Sequence, residues 1–234
     1  MQGVSIMKLF VHIPKNGGMT IRSNKELRRQ VMLAQPDHHI NREYTQGLVQ
    51  KMKATKDHQG YEHAPWRYWR QDLRDQFRAV AIVRNPWDRV ASRYFFAKKV
   101  IYIEENSDQF GNEDYCDCSS LEAFLEERHK WGGEEYMWHR AIRGWYPAKY
   151  HVSDENGKVK CDMLRFENYN EDVKLYFGTL TNPQPRNVTA VNKGSYKDIY
   201  TPETIQIVAD WYKEDIDYWG YDFDTGPTRN YWNA

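Results

Sequence analysis

The residues best suited to chemistry in this chain form three groups, and the first is Lys15-Asn16-Gly17-Gly18-Met19-Thr20. It follows an apolar, β-prone run from Leu9 to Ile13, and Pro14 ends that strand because it has no N–H to give. Gly17 and Gly18 let the backbone turn sharply and approach a ligand with no Cβ in the way. Thr20 can cap or open a helix through Arg22–Gln30, whose N-terminus would offer N–H groups and a positive dipole end. Lys15 adds a mobile positive charge. This is a cradle for a phosphate or sulfate ester. The order differs from the usual nucleoside-triphosphate loop, in which the lysine follows the glycines. A plain strand–turn–helix connection uses the same glycines, so the turn alone does not decide.

The second group is Arg84, Asn85, Asp88 and Ser92. The continuous apolar run Ala79–Val83 reads as a central strand covered on both faces. Asn85 then caps a helix whose first turn takes Pro86. Asp88 and Ser92 fall at i and i+4 on that helix, with Phe95 and Phe96 at i+7 and i+8. Arg84, at the strand's end, and Ser92 can share one anion; the competing arrangement pairs Arg84 with Asp88. The third group is Glu62-His63, in Gly60–Trp66, which reads as a short strand ending in a loop. In open α/β sheets, ligands sit where such strands end.

The rest of the chain must position these groups. A helix is expected near Arg67–Gln76, and a weaker one over Tyr44–Lys53 in the polar stretch Leu33–Gln59. Ile103–Ser119 reads as an acidic loop, Ser119/Ser120 as the cap of a helix to His129, and Glu134–Arg143 as another helix. Lys149–Val152 and Lys160–Phe166 read as strands joined through the turn at Asp154-Glu155-Asn156-Gly157. Helices over Glu171–Leu180 and Thr201–Tyr212 close the pattern, the last with proline at its first position. Two hundred and thirty-four residues are one domain most simply, 1–234, with ample length for a core.

Composition removes several function classes. The 33 Lys and Arg balance 33 Asp and Glu, so no net field draws nucleic acid or an anionic membrane. No apolar run approaches the ~20 residues of a membrane span. Cys116, Cys118 and Cys161 are odd in number and lack framework spacing, which suits a reducing compartment and a cytoplasmic protein. Cys-x-Cys without further partners is a poor zinc site, and no carboxylate cluster reads as a metal site. The surplus of Trp and Tyr suits a core or stacking surfaces for sugars.

Taken together, four stretches resemble the PAPS-dependent sulfotransferases, particularly the carbohydrate-modifying branch and its bacterial relatives. Phe10-Val11-His12-Ile13-Pro14-Lys15-Asn16-Gly17-Gly18 is similar to the family's 5′-phosphosulfate loop. Val83 to Tyr94 is similar to its 3′-phosphate motif, and Leu164-Arg165-Phe166-Glu167-Asn168-Tyr169 to a late strand-to-helix junction. Val191-Asn192-Lys193-Gly194 resembles the loop that closes over the cofactor. The match runs from about residue 8 to 223. Asn16 and Met19 stand where the family usually has Ser or Thr.

The resemblance implies a P-loop-like α/β fold: a mainly parallel sheet of about four or five strands flanked by helices, with the site at the strands' C-terminal ends. It implies 3′-phosphoadenosine-5′-phosphosulfate (PAPS) as donor, adenosine 3′,5′-bisphosphate (PAP) as product, and no metal. Lys15, Asn16, Gly17, Gly18, Met19 and Thr20 would face the phosphosulfate, and Arg84, Ser92, Lys193 and Gly194 the 3′-phosphate. The acceptor is a hydroxyl, a glycan or small alcohol being favoured. In-line transfer needs a base, and the family's base falls near His63; His12 reads as structural, and the other six histidines have no motif around them. Glu62 is the fallback base, because neighbours on a strand point to opposite faces. Lys15 would stabilise the leaving oxygen. Two other readings stay open: a P-loop-type kinase of a small metabolite, and a non-catalytic carbohydrate-binding protein.

Overall fold

A computed structural model describes residues 7–54, 60–104, 117–130, 145–179 and 195–227. Its centre is a four-stranded parallel sheet in the order β2-β1-β3-β4. Strand β1 (Lys8–Phe10) pairs with β2 (Val31–Leu33) from Lys8↔Val31 to Phe10↔Leu33. On its other side β1 pairs with β3 (Ala79–Val83) through Leu9↔Ala79. Strand β4 (Cys161–Arg165) completes the sheet, in register with β3 from Ala79↔Cys161 to Val83↔Arg165. The chain leaves β1 toward β2 and later returns to the opposite side of β1, so strand order reverses between β1 and β3. Open α/β sheets bind ligands at such a reversal, outside the C-terminal ends of the strands.

Alternation along the strands explains the layers. Leu9, Val11, Ala79, Ala81, Val83 and Met163 face one core. Packed there are Trp87, Val90 and Tyr94 of α5 (Pro86–Glu104), Phe124 and Leu125 of α6 (Leu121–Lys130), and Val208 and Trp219 from the C-terminal helices. Phe10, Val80, Ile82 and Leu164 face the other, against Ile21, Leu27, Val173 and Phe177. All five residues of β3 are buried, as its unbroken apolar sequence requires.

Several expected elements form: β1, β3, β4, the helix from Pro86, the α6 helix with Ser120 Oγ accepting from Ala123 N (3.1 Å), and α3 (Arg42–Ala54). The last expected helix is α9 (Pro202–Trp211), with Thr201 capping and Pro202 opening it, and α10 (Lys213–Trp219) follows. The helix expected over Glu171–Leu180 is α8 (Tyr169–Phe177), stopped by Gly178 at φ 64°.

Others differ. The expected helix through Gln30 is two short ones, α1 (Gly18–Ser23) and α2 (Lys25–Arg28). Asn24 breaks it by turning extended and accepting from Glu26 N and Leu27 N. The apolar triplet Val31–Leu33 then adds the unforeseen edge strand β2. The expected strand at Lys149–Val152 is a helix, α7 (Ala148–Val152), because Asp215 reaches back to accept from Ala148 N at 2.6 Å and Lys149 N at 2.8 Å. Its link to β4 survives as one antiparallel bridge, Ser153↔Val159, with Asp154 Oδ1 accepting from Asn156 N and Lys158 N in the turn. Gly60–Trp66 forms no strand: Tyr61–His63 and Trp66–Tyr68 are single 3₁₀ turns ahead of α4 (Gln71–Gln76). The helix expected over Glu134–Arg143 lies outside the described residues.

Among the described residues no helix is long and apolar enough to cross a membrane. Cys118 and Cys161 are free thiols, and burial pushes that of Cys161 well up.

Candidate functional site

The turn after β1 is built almost entirely by constraints from its neighbours. Past the ladder, Val11 N donates to Val80 O, and the chain then turns through Pro14–Gly17 into α1. Lys15 has φ 66° and Gly17 φ 79°, both left-handed. A Cβ on Gly17 would lie 3.0 Å from the Phe166 ring and 3.1 Å from Tyr169, so glycine is required there twice over. A Cβ on Gly18 would fall 2.2 Å from the His12 ring. The N–H groups of Gly17, Gly18 and Met19 make no hydrogen bond among the described residues. Those three amides, with the Lys15 ammonium, are what the turn can offer an anion. Helix α1 is too short to add the dipole expected of a long one.

Two of the loop's side chains point away from a ligand. Asn16 is 1% exposed and donates from Nδ2 to Ile82 O at 2.7 Å, tying the turn to β3. Its Oδ1 is buried and has no partner among the described residues. Thr20 is buried and hydrogen-bonds the Tyr169 hydroxyl, whose phenol burial pushes well up. Met19 is half-buried with its sulfur 3.7 Å from Arg22 Nη1. Lys15 rests its ammonium 4.1 Å above the Phe96 ring.

At the end of β3, Arg84 takes the competing arrangement. Its Nε and Nη2 donate to the two oxygens of Asp88 at 2.7 and 2.8 Å, rather than joining Ser92. Its Nη1 donates to Lys15 O at 2.8 Å, and its plane lies 4.0 Å over Phe166. Ser92 is half-buried on α5. Asn85 caps that helix as expected, accepting from Trp87 N and Asp88 N. Lys193 and Gly194 lie outside the described residues.

The third group converges on the same turn from the other side. His63 donates from Nδ1 to His12 O at 2.8 Å, because a carbonyl can only accept. Its Nε2, the ring nitrogen left to accept a proton, then lies 3.4 Å from Glu62 Oε1. Glu62 Oε2 accepts from Arg22 Nη1 at 2.6 Å. A 3₁₀ turn does not alternate faces, so Glu62 and His63 work on one side together; the opposite-face choice between them falls away.

Residues passed over by sequence reasoning hold this cluster in place. The His12 ring lies 4.4 Å from that of His63, tilted 43° to it, and covers Gly18. His151, fully buried with its pKa driven well down by burial, donates to the His63 carbonyl. Arg89, 2% exposed, joins Pro14 O (3.1 Å) to Tyr146 O (2.8 Å). Glu167, its pKa raised by burial, accepts from Asn85 N at 2.6 Å. Arg89 and Glu167 stand inside motifs already singled out, which was the available signal; His12, read above as structural within the first strand, lies just past the end of β1.

Arg84 and His63 therefore grip the two flanks of one turn, at Lys15 O and His12 O. No protein-family model matches the chain, and no curated protein matches it.

Proposed function

We propose that the protein is a PAPS-dependent sulfotransferase of the P-loop-like type, moving a sulfuryl group to a hydroxyl of a carbohydrate or small alcohol. One observation carries the reading. The Lys15–Gly18 turn leaves β1, Arg84 leaves β3, and these are the two strands between which strand order reverses. A donor with two anionic ends fits two adjacent positive positions of this kind.

The residues present fit such a donor. Glycine at 17 and 18 and the open amides suit the phosphosulfate end, with Lys15 beside them. Arg84 has five N–H donors and commits three, leaving two for the 3′-phosphate. The bound donor supplies the sulfuryl group. The His63–Glu62 pair takes the acceptor's proton, its orientation fixed by His12 O and Arg22, and Lys15 offsets charge on the departing oxygen. Asn16 and Thr20 act here by shaping the turn.

The kinase reading has less support. Magnesium takes oxygen ligands, and the ligand-type cluster at this site is two imidazoles and one carboxylate. The end of β3 carries an arginine already paired with the nearest carboxylate.

Calorimetry with adenosine 3′,5′-bisphosphate and with ATP–magnesium tests the proposal. The bisphosphate is expected to bind, and Arg84→Ala to weaken it about 10- to 150-fold, from charge-assisted hydrogen bonds of about 1.5–3 kcal/mol. Tighter binding of ATP–magnesium, or no effect of Arg84→Ala, would overturn it. A panel of hydroxyl acceptors with labelled PAPS then identifies the second substrate.

A further inference from the structure

We propose that His12, Glu62 and His63 form a three-ligand site for a divalent transition-metal ion, with zinc(II) as the best fit, and that an ion there blocks the proton-accepting pair. One ligand atom from each residue lies within 4.8 Å of the other two. The 3.4 Å between His63 Nε2 and Glu62 Oε1 is the separation of two ligands each about 2.0–2.1 Å from a tetrahedral ion. Two imidazoles and a carboxylate with a fourth position open suit zinc and its neighbours, and are a poor set for magnesium.

The surroundings are those of a built site. A metal-binding imidazole normally donates its other N–H to a carbonyl or carboxylate, which fixes its ring. His63 does so, from Nδ1 to His12 O at 2.8 Å. Arg22 holds one oxygen of Glu62 at 2.6 Å and leaves the other turned to His63. The His12 ring is fixed between Gly18 and His63. A cleft of ≈ 40 Å³, lined in part by His12, Arg22, Tyr61 and Glu62, opens onto the cluster and has room for one water as fourth ligand. The ion takes His63 through its Nε2 lone pair and Glu62 through Oε1, and any proton that either atom carries leaves to solvent. Metal binding stands on this geometry alone; the blocking rests on the sulfuryl-transfer reading.

Titrating the whole protein with cobalt(II), and separately with zinc(II) by calorimetry, tests it. One site is expected, with the intense visible absorption of four-coordinate cobalt, unaffected by excess magnesium. Glu62→Gln keeps the side chain's shape and His63→Ala removes a ligand; both are expected to weaken zinc binding about 10- to 100-fold or more. His38→Gln, on the 3₁₀ turn Pro36–His38 where His38 stacks against Trp69, should leave binding unchanged. A weak six-coordinate cobalt spectrum, or equal zinc affinity in Glu62→Gln and the parent, overturns the site. Transfer activity that zinc inhibits and a chelator restores supports the blocking. Zinc that binds without inhibiting overturns the blocking and leaves the site; absence of transfer to any acceptor overturns the sulfuryl reading and the blocking with it, again leaving the site to the cobalt result.

Discussion

The ends of β1 and β3 lie side by side, yet they are prepared in opposite ways. After β1 the side chains are turned inward and the backbone is left open: Asn16 is spent on Ile82 O, while three successive amides stay unbonded among the described residues. After β3 the side chains face the site but are already engaged. Arg84 makes three hydrogen bonds, and Asn85 uses its amide nitrogen, side-chain oxygen and side-chain nitrogen at once, the last on Asp222 O and Thr225 O. An anion entering the first position displaces water. One entering the second has to compete with Asp88. The first end is open, and the second is guarded by its own carboxylate.

The strongest way to break this contrast is Asn85→Ala. It removes a helix cap of about 1 kcal/mol and two part-buried bonds of about 1 kcal/mol each, so unfolding should cost about 3 kcal/mol less, read from the denaturant midpoint at constant m. Next comes Asp215, whose two hydrogen bonds place α7, just beyond the Tyr146 carbonyl that Arg89 ties to Pro14. Burial raises its pKa from 3.8 to about 6, so the folded state holds a proton that the unfolded chain gives up. That contribution is full below the unfolded value and fades as pH rises through about 6. Relative to Asp215→Asn, the parent should lose stability on the order of 3 kcal/mol over that rise, followed by melts at stepped pH.

Gly18→Ala attacks the open end. The new methyl must push the His12 ring aside, at a cost of about 1–3 kcal/mol, and nucleotide affinity should fall with it. The smallest effect sharpens the guarded end: Asp88→Asn should tighten bisphosphate binding about 2- to 5-fold, since a part-buried ion pair contributes up to about 1 kcal/mol. Weaker binding in that variant would mean that Asp88 presents Arg84 rather than guards it.

Much of the sheet could be read from local pattern. β3 is a continuous apolar run, and the start of α5 combines an Asn cap with a following proline, signals complete within a few residues. The misreadings have different causes: at α7 the deciding partner was distant in sequence, while between α1 and α2 it was the local Asn24 cap. Tyr150-His151-Val152 has strand-like composition, and only a carboxylate 67 residues beyond Ala148 makes it a helix. Edge strand β2 is three residues long, too short to show a period beside the charged α2. At the site, Lys15 and Arg84 stand past the ends of β1 and β3 as the sequence suggested, whereas His63 stands on a 3₁₀ turn and not at a strand's end. The inward turn of Asn16 and the union of His12 with Glu62 and His63 are contacts across 66 and 51 residues that spacing did not reveal, whereas the pairing of Arg84 with Asp88 was one of the two arrangements that spacing offered.

Lys15 is the only non-glycine residue with positive φ among those described. A left-handed backbone costs an ordinary residue about 1–2 kcal/mol that glycine does not incur. Selection for thermal stability alone would therefore favour Lys15→Gly, and a design campaign scored on melting temperature would retain it. The same substitution removes the ammonium that residue 15 brings to the turn. On the sulfuryl-transfer reading proposed above, residue 15 trades fold stability for charge, and a library built on this scaffold should hold it fixed.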